Sequence, residues 1–341
     1  MSKTIKNSFY SKLTFDKLLE AHHRACVGKN NRMELLRFNI DLETNIHSIL
    51  KTLKDGTYKL SKYRVFVIHE PKERIIKCLP YKDRIVQQWY IYEFIKPYIM
   101  SKFISTTCAC IDKRGTHYAV KLTQKYMRIM KRKYDNYYIL KLDVKKYFYN
   151  IDKDILYDIM CEYITDKKLL ELTHKFIYDN DEKAGIPIGN YTSQYFANIY
   201  LDKLDKYIKE VLKVKYYIRY MDDFVVLAPT KEDCIYLKQK ISDYLKERLH
   251  LELNSKSRYY PNKMGVNFCG YRIFETHILI RTRSKKKMKK KIKIWNKQYD
   301  ENKLDIEKMR LSMGSWLGHV KHANSYNMAN KYINKIKYYQ K

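Results

Sequence analysis

Glycine and proline are scarce, at 9 and 6 of 341 residues, while hydrophobic residues make up 45%. That balance excludes fibrous repeats and disordered low-complexity chains, and it leaves enough apolar side chains to bury a core. No internal repeat and no Pro/Ser-rich linker interrupts the chain. Long apolar runs are also missing. None approaches the ~20 residues needed to cross a bilayer, and Met1-Ser2-Lys3-Thr4-Ile5-Lys6 lacks the apolar segment of a secretory signal. The expectation is a cytoplasmic protein with no membrane attachment.

Acidic residues are the most telling shortage. Thirty-seven Asp+Glu stand against 69 Lys+Arg, a net charge of +32. A surface this positive repels itself unless an anion covers it, and a polyphosphate backbone is the expected cover. An AT-rich genome would also enrich Lys and Tyr (34 Tyr), but it gives no reason for the acids to lag.

The seven cysteines are an odd, scattered set in which only Cys108-Ala109-Cys110 are close, so reduced thiols, mostly small core residues, are expected. His319-Val320-Lys321-His322 could present two imidazoles on one helical face, but the sequence offers no third ligand nearby and a packed pair is the expectation.

Residues 1–54 read as a helical N-terminal extension, with Thr14 as an N-cap ahead of Phe15, Leu18 and Leu19. Runs 63–68 and 74–79 predict two strands joined by a turn around Pro71. Ile85, Trp89, Tyr92 and Ile95 then recur at helical spacing. Residues 137–144 form a β-rich run with Asp143 near its end. A turn at 185–190 precedes a buried helix from Gln194 to Leu204. Tyr216 to Ala228 predicts a hairpin with Met221-Asp222-Asp223 at its tip, and Thr230 caps a helix carrying Cys234, Leu237, Ile241 and Leu245 on one face. Composition shifts near residue 281, where Ser284 to Lys293 opens a Lys-rich helical segment, 281–341. A charge run can be a plain solvated face, but in so basic a chain it predicts a phosphate-tracking surface.

Adjacent Asp222 and Asp223 repel each other, and a purely structural hairpin favours Asn-Gly at its tip. A divalent cation would relieve that repulsion, and Mg²⁺ prefers carboxylate oxygens. If Asp143 lies beside them, three carboxylates could serve paired ions about 3.5–4 Å apart. A solvated Asp-Asp turn is the bland reading of the tip taken alone.

The flanking residues carry more. Tyr217-Ile218-Arg219-Tyr220-Met221-Asp222-Asp223-Phe224 resembles the catalytic box of reverse transcriptases. In order along roughly 60–280, Arg74 with Asp83-Arg84-Ile85-Val86-Gln87 resembles the first fingers motif, and Lys113-Arg114-Gly115-Thr116-His117 the second. Leu142-Asp143-Val144-Lys145-Lys146-Tyr147-Phe148 resembles the first palm motif. Lys256 after Leu251-Glu252-Leu253, then Phe268-Cys269-Gly270-Tyr271, resemble the late palm boxes, the last being the primer grip.

The resemblance implies an α+β right-hand polymerase fold, with fingers and palm over 55–280 and a helical thumb over 281–341. It implies two Mg²⁺ ions at a catalytic, metal-binding set of Asp143, Asp222, Asp223 and the Val144 carbonyl, in which Asp143 and Asp222 ligate both ions and Asp223 contributes as a near neighbour or from one shell out. Phe148 falls where the family places an aromatic that excludes a 2′-hydroxyl. Arg74 is the candidate for the triphosphate, with Lys72 and Arg84 as weaker ones. Ile188, Gly189, Gln194 and Lys256 complete the dNTP-side set.

One box departs from the usual Gln-Gly and Ser-Pro pattern. Ile188-Gly189-Asn190-Tyr191-Thr192-Ser193-Gln194 resembles the reverse transcriptases of diversity-generating retroelements. Ile188 in place of an amide loses a polar contact near the nascent pair, and a pocket so depleted discriminates less well. That resemblance implies copying of a structured retroelement template RNA into adenine-mutagenised cDNA, with template RNA, cDNA primer, dNTPs and a small basic oligomeric accessory protein as partners, and no membrane. A defence-associated (abortive-infection type) reverse transcriptase, a group II intron-type enzyme and a catalytically dead RNA-binding relative are the alternatives. No RNase H or endonuclease segment is expected within the chain.

Overall fold

Strand-forming runs at 63–68 and 74–79 become an antiparallel hairpin in the computed structural model, which describes residues 4–29, 32–69, 73–179 and 182–339. Its strands are β1 (Arg64–Ile68) and β2 (Arg74–Cys78), in register Arg64↔Cys78 to Ile68↔Arg74. The expected turn at Pro71 and the candidate Lys72 lie outside the described residues.

The chain divides into two compact units. The first comprises Met1–Ile111, Val144–Lys213 and Lys240–Ser255, and the second Asp112–Asp143, Val214–Gln239 and Lys256–Lys341.

In the first unit, helix Phe15–Cys26 starts where Thr14 Oγ1 accepts the Lys17 N–H at 3.3 Å, the expected cap. It packs on helix Tyr81–Tyr90, which continues into a π-helical turn, Ile91–Ile95, rather than staying α throughout the expected stripe. Ile85, Val86, Trp89, Tyr90, Phe94 and Ile95 are buried there. Helix Tyr191–Lys206 packs against Tyr81–Tyr90 and Lys153–Tyr163. It begins three residues before the sequence expectation, and its first turn leaves Gln194 exposed while Thr192, Ser193 and Tyr195 face inward.

The second unit holds two antiparallel sheets. β3 (Tyr138–Asp143), β4 (Tyr217–Tyr220), β5 (Asp223–Ala228) and β6 (Arg258–Pro261) form one, in order β4-β5-β3-β6. β7 (Val266–Phe268), β8 (Tyr271–Ile273) and β9 (Ile278–Ile280) form the other. The central strands β3 and β5 are near-continuous apolar runs, with Ile139, Leu140, Leu142, Phe224, Val225 and Val226 all fully buried. The Lys-rich segment folds as helices Thr282–Asp300, Ile306–Val320 and Tyr326–Ile333. In the first of these Met288, Ile292 and Trp295 are buried at helical spacing, which leaves the lysines between them outside.

Helix Lys231–Leu249 begins in the second unit. Thr230 Oγ1 accepts the Asp233 N–H at 3.0 Å while Asp233 Oδ2 accepts the Thr230 N–H at 3.2 Å, a reciprocal cap. Cys234, Leu237, Ile241 and Leu245 are buried as the stripe requires. All seven cysteines are free, but only Cys108 and Cys234 are fully buried, fewer than the composition suggested. No helix among the described residues is long and apolar enough to cross a membrane.

Candidate active site

Asp143 ends β3 and Asp223 opens β5, and the antiparallel register makes them direct partners. Partners across such a pair have Cβ atoms about 4.5–5.5 Å apart, on the same face of the sheet. Asp222 sits one residue earlier, in the two-residue Met221-Asp222 turn that joins Tyr220 to its own partner Asp223. The sequence reading put both acids at the tip. The structure keeps Asp222 there and builds Asp223 into the strand, because the ladder closes at Tyr220↔Asp223.

The turn is strained and braced. Met221 has φ +55°, a region that disfavours any residue with a Cβ and costs about 1–3 kcal/mol. Arg219, fully buried on β4, donates from Nη1 to the Met221 carbonyl at 3.0 Å. On the other side, Ser257 Oγ accepts the Asp143 N–H at 3.2 Å and donates to the Asp143 carbonyl at 3.3 Å, just beyond the last β3–β6 ladder pair, Lys141↔Arg258. Asp143 is thereby held at its backbone, so its position does not depend on its carboxylate.

Lys141 completes the cluster. It lies two residues before Asp143, on the same face of β3, and pairs with the Asp223 carboxylate, the two side chains being 17% and 34% exposed. Burial pushes its ammonium down to about 8, while Asp143, Cys269 and Asp222 pull it back up and Arg281 adds to the depression. The Phe268 ring centroid lies 5.2 Å from Nζ.

The donors suit a hard divalent cation, since Asp143 and Asp222 offer carboxylate oxygens at one end of the sheet. Among the described residues, however, no three His, Cys, Asp or Glu side chains form a group that could hold a metal. Asp223, the partner of Asp143 across the ladder, also pairs with Lys141.

In the first unit, the 185–190 segment is docked on β2. The Lys77 N–H donates to the Ile188 carbonyl at 2.9 Å, and the Tyr191 N–H donates to Gln87 Oε1 at 3.0 Å. Gly189, at φ +128°, lies so close to β2 that a Cβ would stand 2.6 Å from the Lys77 carbonyl oxygen. Ile188 is half-buried. Phe148 is half-buried too, its carbonyl accepting the Ile186 N–H at 2.8 Å and its ring edge-on to Tyr147 at 5.7 Å. Arg74 opens β2 and is exposed, as is Lys256 in the second unit. Gln194 Oε1 accepts from Cys110 Sγ at 3.4 Å. Arg84 bonds the Leu79 carbonyl at 2.9 Å and Glu34 at 3.2 Å, a structural role.

Sequence reasoning missed Lys141, Arg219 and Ser257. A signal for the first was present: a lysine between Leu140 and Leu142 in a core strand, in step with Asp143. The other two are set by strand pairing, which local sequence does not reveal.

Comparison with known proteins agrees with the geometry. Residues 62–273, more than half of the chain, match the family described as reverse transcriptase (RNA-dependent DNA polymerase). The group II intron-encoded protein LtrA of Lactococcus lactis subsp. cremoris is 22% identical, over 68% of this chain and 50% of that protein. A putative COX1/OXI3 intron 2 protein of Saccharomyces cerevisiae is 27% identical, over 40% of this chain and 24% of that protein. The chain thus spans half or less of these relatives' length. Among solved structures, apo telomerase from Candida tropicalis truncated from its C-terminal domain aligns with a TM-score of 0.49 at 14% identity, covering 70% of this chain and 60% of that one. Telomerase from Candida albicans in complex with a TWJ fragment of telomeric RNA also aligns at 0.49, with 12% identity over 70% and 49%. The architecture is α+β, with the right-hand polymerase fold of the matched family. The chain belongs to the reverse transcriptase (RNA-dependent DNA polymerase) family.

Proposed function

We propose that this chain is an RNA-directed DNA polymerase that extends a primer on template RNA from dNTPs. The observation that carries the reading is the Asp143↔Asp223 pairing with Asp222 on the adjoining turn, inside the matched family region. Asp143 and Asp222, with the Val144 carbonyl, would hold two Mg²⁺ ions. When bound, such ions activate a 3′-hydroxyl and neutralise charge on a departing pyrophosphate. Asp223 acts at one remove, through Lys141. No side chain need serve as a general base. By motif position, Arg74 grips the triphosphate with a bidentate guanidinium, Phe148 rejects a 2′-hydroxyl by bulk, and Gly189, Gln194 and Lys256 complete the nucleotide set. We assign 55–280 to fingers and palm, 281–341 to the thumb and 1–54 to a helical extension.

The finer assignment rests on Ile188. Its Ile-Gly…Ser-Gln box supports a diversity-generating retroelement enzyme, copying a structured template RNA into adenine-mutagenised cDNA in the cytoplasm with a small basic oligomeric accessory protein. A second reading has its own support, because both curated relatives named above are intron proteins. A group II intron-type polymerase would use the same carboxylates. Primer extension on an RNA template with Mg²⁺ tests the shared core. Asp222→Ala is expected to lower the rate about a hundred- to a thousandfold, the scale of losing a main electrostatic stabiliser. Equal extension by variant and parent defeats the enzymatic reading.

A further inference from the structure

Lys141 is out of place for a core strand. Its cross-strand and same-face neighbours Ile139, Val225 and Leu227 are buried apolar residues, and Leu140 and Leu142 flank it. Burying an ammonium among them is costly unless anions meet it. Asp223 pairs with it directly, Asp143 lies two residues on along the same face of β3, and Asp222 sits on the adjoining turn. Arg281 only repels it, and the partner of Lys141 across the β3–β6 ladder, Arg258, is another cation. The facing pair Asp143 and Asp223 therefore already has one positive charge beside it, held on a strand rather than on a flexible loop.

We infer that Lys141 is the resident counter-cation of this cluster, a positioning residue that holds Asp223 in place and competes with divalent cations for the field of Asp143 and Asp222. This deepens the polymerase reading and rests on its choice of metal ligands. Two consequences follow from charge alone. Without metal, Lys141 relieves the repulsion of like charges paired across strands. With metal, its ammonium opposes the incoming dication, so the site is kept weaker than its carboxylates would make it.

The test uses the full chain and Mn²⁺ as the probe. Free Mn²⁺ is followed by electron paramagnetic resonance, and thermal unfolding is recorded in EDTA. Asp222→Asn, run in parallel, identifies the share of binding that belongs to the cluster. Lys141→Met is expected to tighten that share about tenfold or more and to lower the unfolding midpoint in EDTA. Lys141→Arg, which keeps the charge, should stay nearer the parent in both. If the Met variant does not fold, Lys141→Gln carries the same comparison. Binding no tighter in Lys141→Met, or an unchanged midpoint in EDTA, overturns the role of Lys141 while leaving the polymerase reading intact. Parent binding that is absent or indifferent to Asp222→Asn overturns both.

Discussion

Gly189 cannot carry a side chain, whereas Ile188 beside it carries one that is left half-exposed. The backbone of this pair is fixed from three directions: the Lys77 N–H on the Ile188 carbonyl, the close approach of Gly189 to β2, and Gln87 on the Tyr191 N–H. None of these contacts uses the Ile188 side chain. Ile188→Gln should therefore change the chemistry presented at this position without moving the segment. A regained amide contact worth about 1 kcal/mol corresponds to roughly fivefold in discrimination. The expected outcome is about fivefold less misincorporation opposite template adenine, with stability within about 1 kcal/mol of the parent. Sequencing cDNA made by both enzymes measures it, and an unchanged error spectrum argues for the intron-type reading over the retroelement one.

At the scale of elements, local pattern was legible where one strand or helix decides its own fate. The β3 run, the β4–β5 hairpin and the Thr14 and Thr230 caps all follow from residue type and spacing. What pairing and packing decide was not legible. Ser257 bracing Asp143 comes from β3–β6 register, and Arg219 bracing Met221 from a buried guanidinium that looks like any strand residue. The histidines show this most clearly. His319 and His322 were visible as a pair, but the third imidazole comes from far along the chain: the His117 ring stacks on His322 at 3.6 Å, while Tyr271 packs on His319 at 4.4 Å and donates its hydroxyl to the His319 carbonyl at 2.9 Å. Burial first, then the neighbouring imidazoles and, for His117, Lys121, hold His117 and His319 below the ordinary value. Such groups bind protons more readily unfolded than folded, so stability is full above about pH 6.5 and falls as pH drops through it. Carboxylates held low, such as Glu252 and Asp305, act in a more acid window. Thermal midpoints between about pH 7.5 and 5.5 should decline, and His117→Gln should flatten that decline. An identical slope in the variant would mean that the stacked rings do not carry it.

At the scale of the whole molecule, the net charge of +32 has two rival origins, a phosphate-covered surface or a composition bias spread without purpose. Salt dependence separates them. Each phosphate neutralised on a single strand releases counterions and adds about 0.7 to the slope of log affinity against log salt. Contact with about six phosphates gives a slope near −4, a loss of about 300-fold between ~50 and ~200 mM salt. Helix Thr282–Asp300 sharpens the test, because Lys286, Lys289, Lys290 and Lys293 are exposed around its buried Met288–Ile292–Trp295 stripe. Replacing those four with Gln leaves the buried stripe alone, so folding should persist. If they track phosphate, the slope for an unstructured RNA should become shallower by roughly 3, and affinity at low salt should fall while affinity at high salt changes much less. A slope that survives the fourfold substitution would place the RNA contacts elsewhere, and would leave this lysine run as an ordinary solvated face.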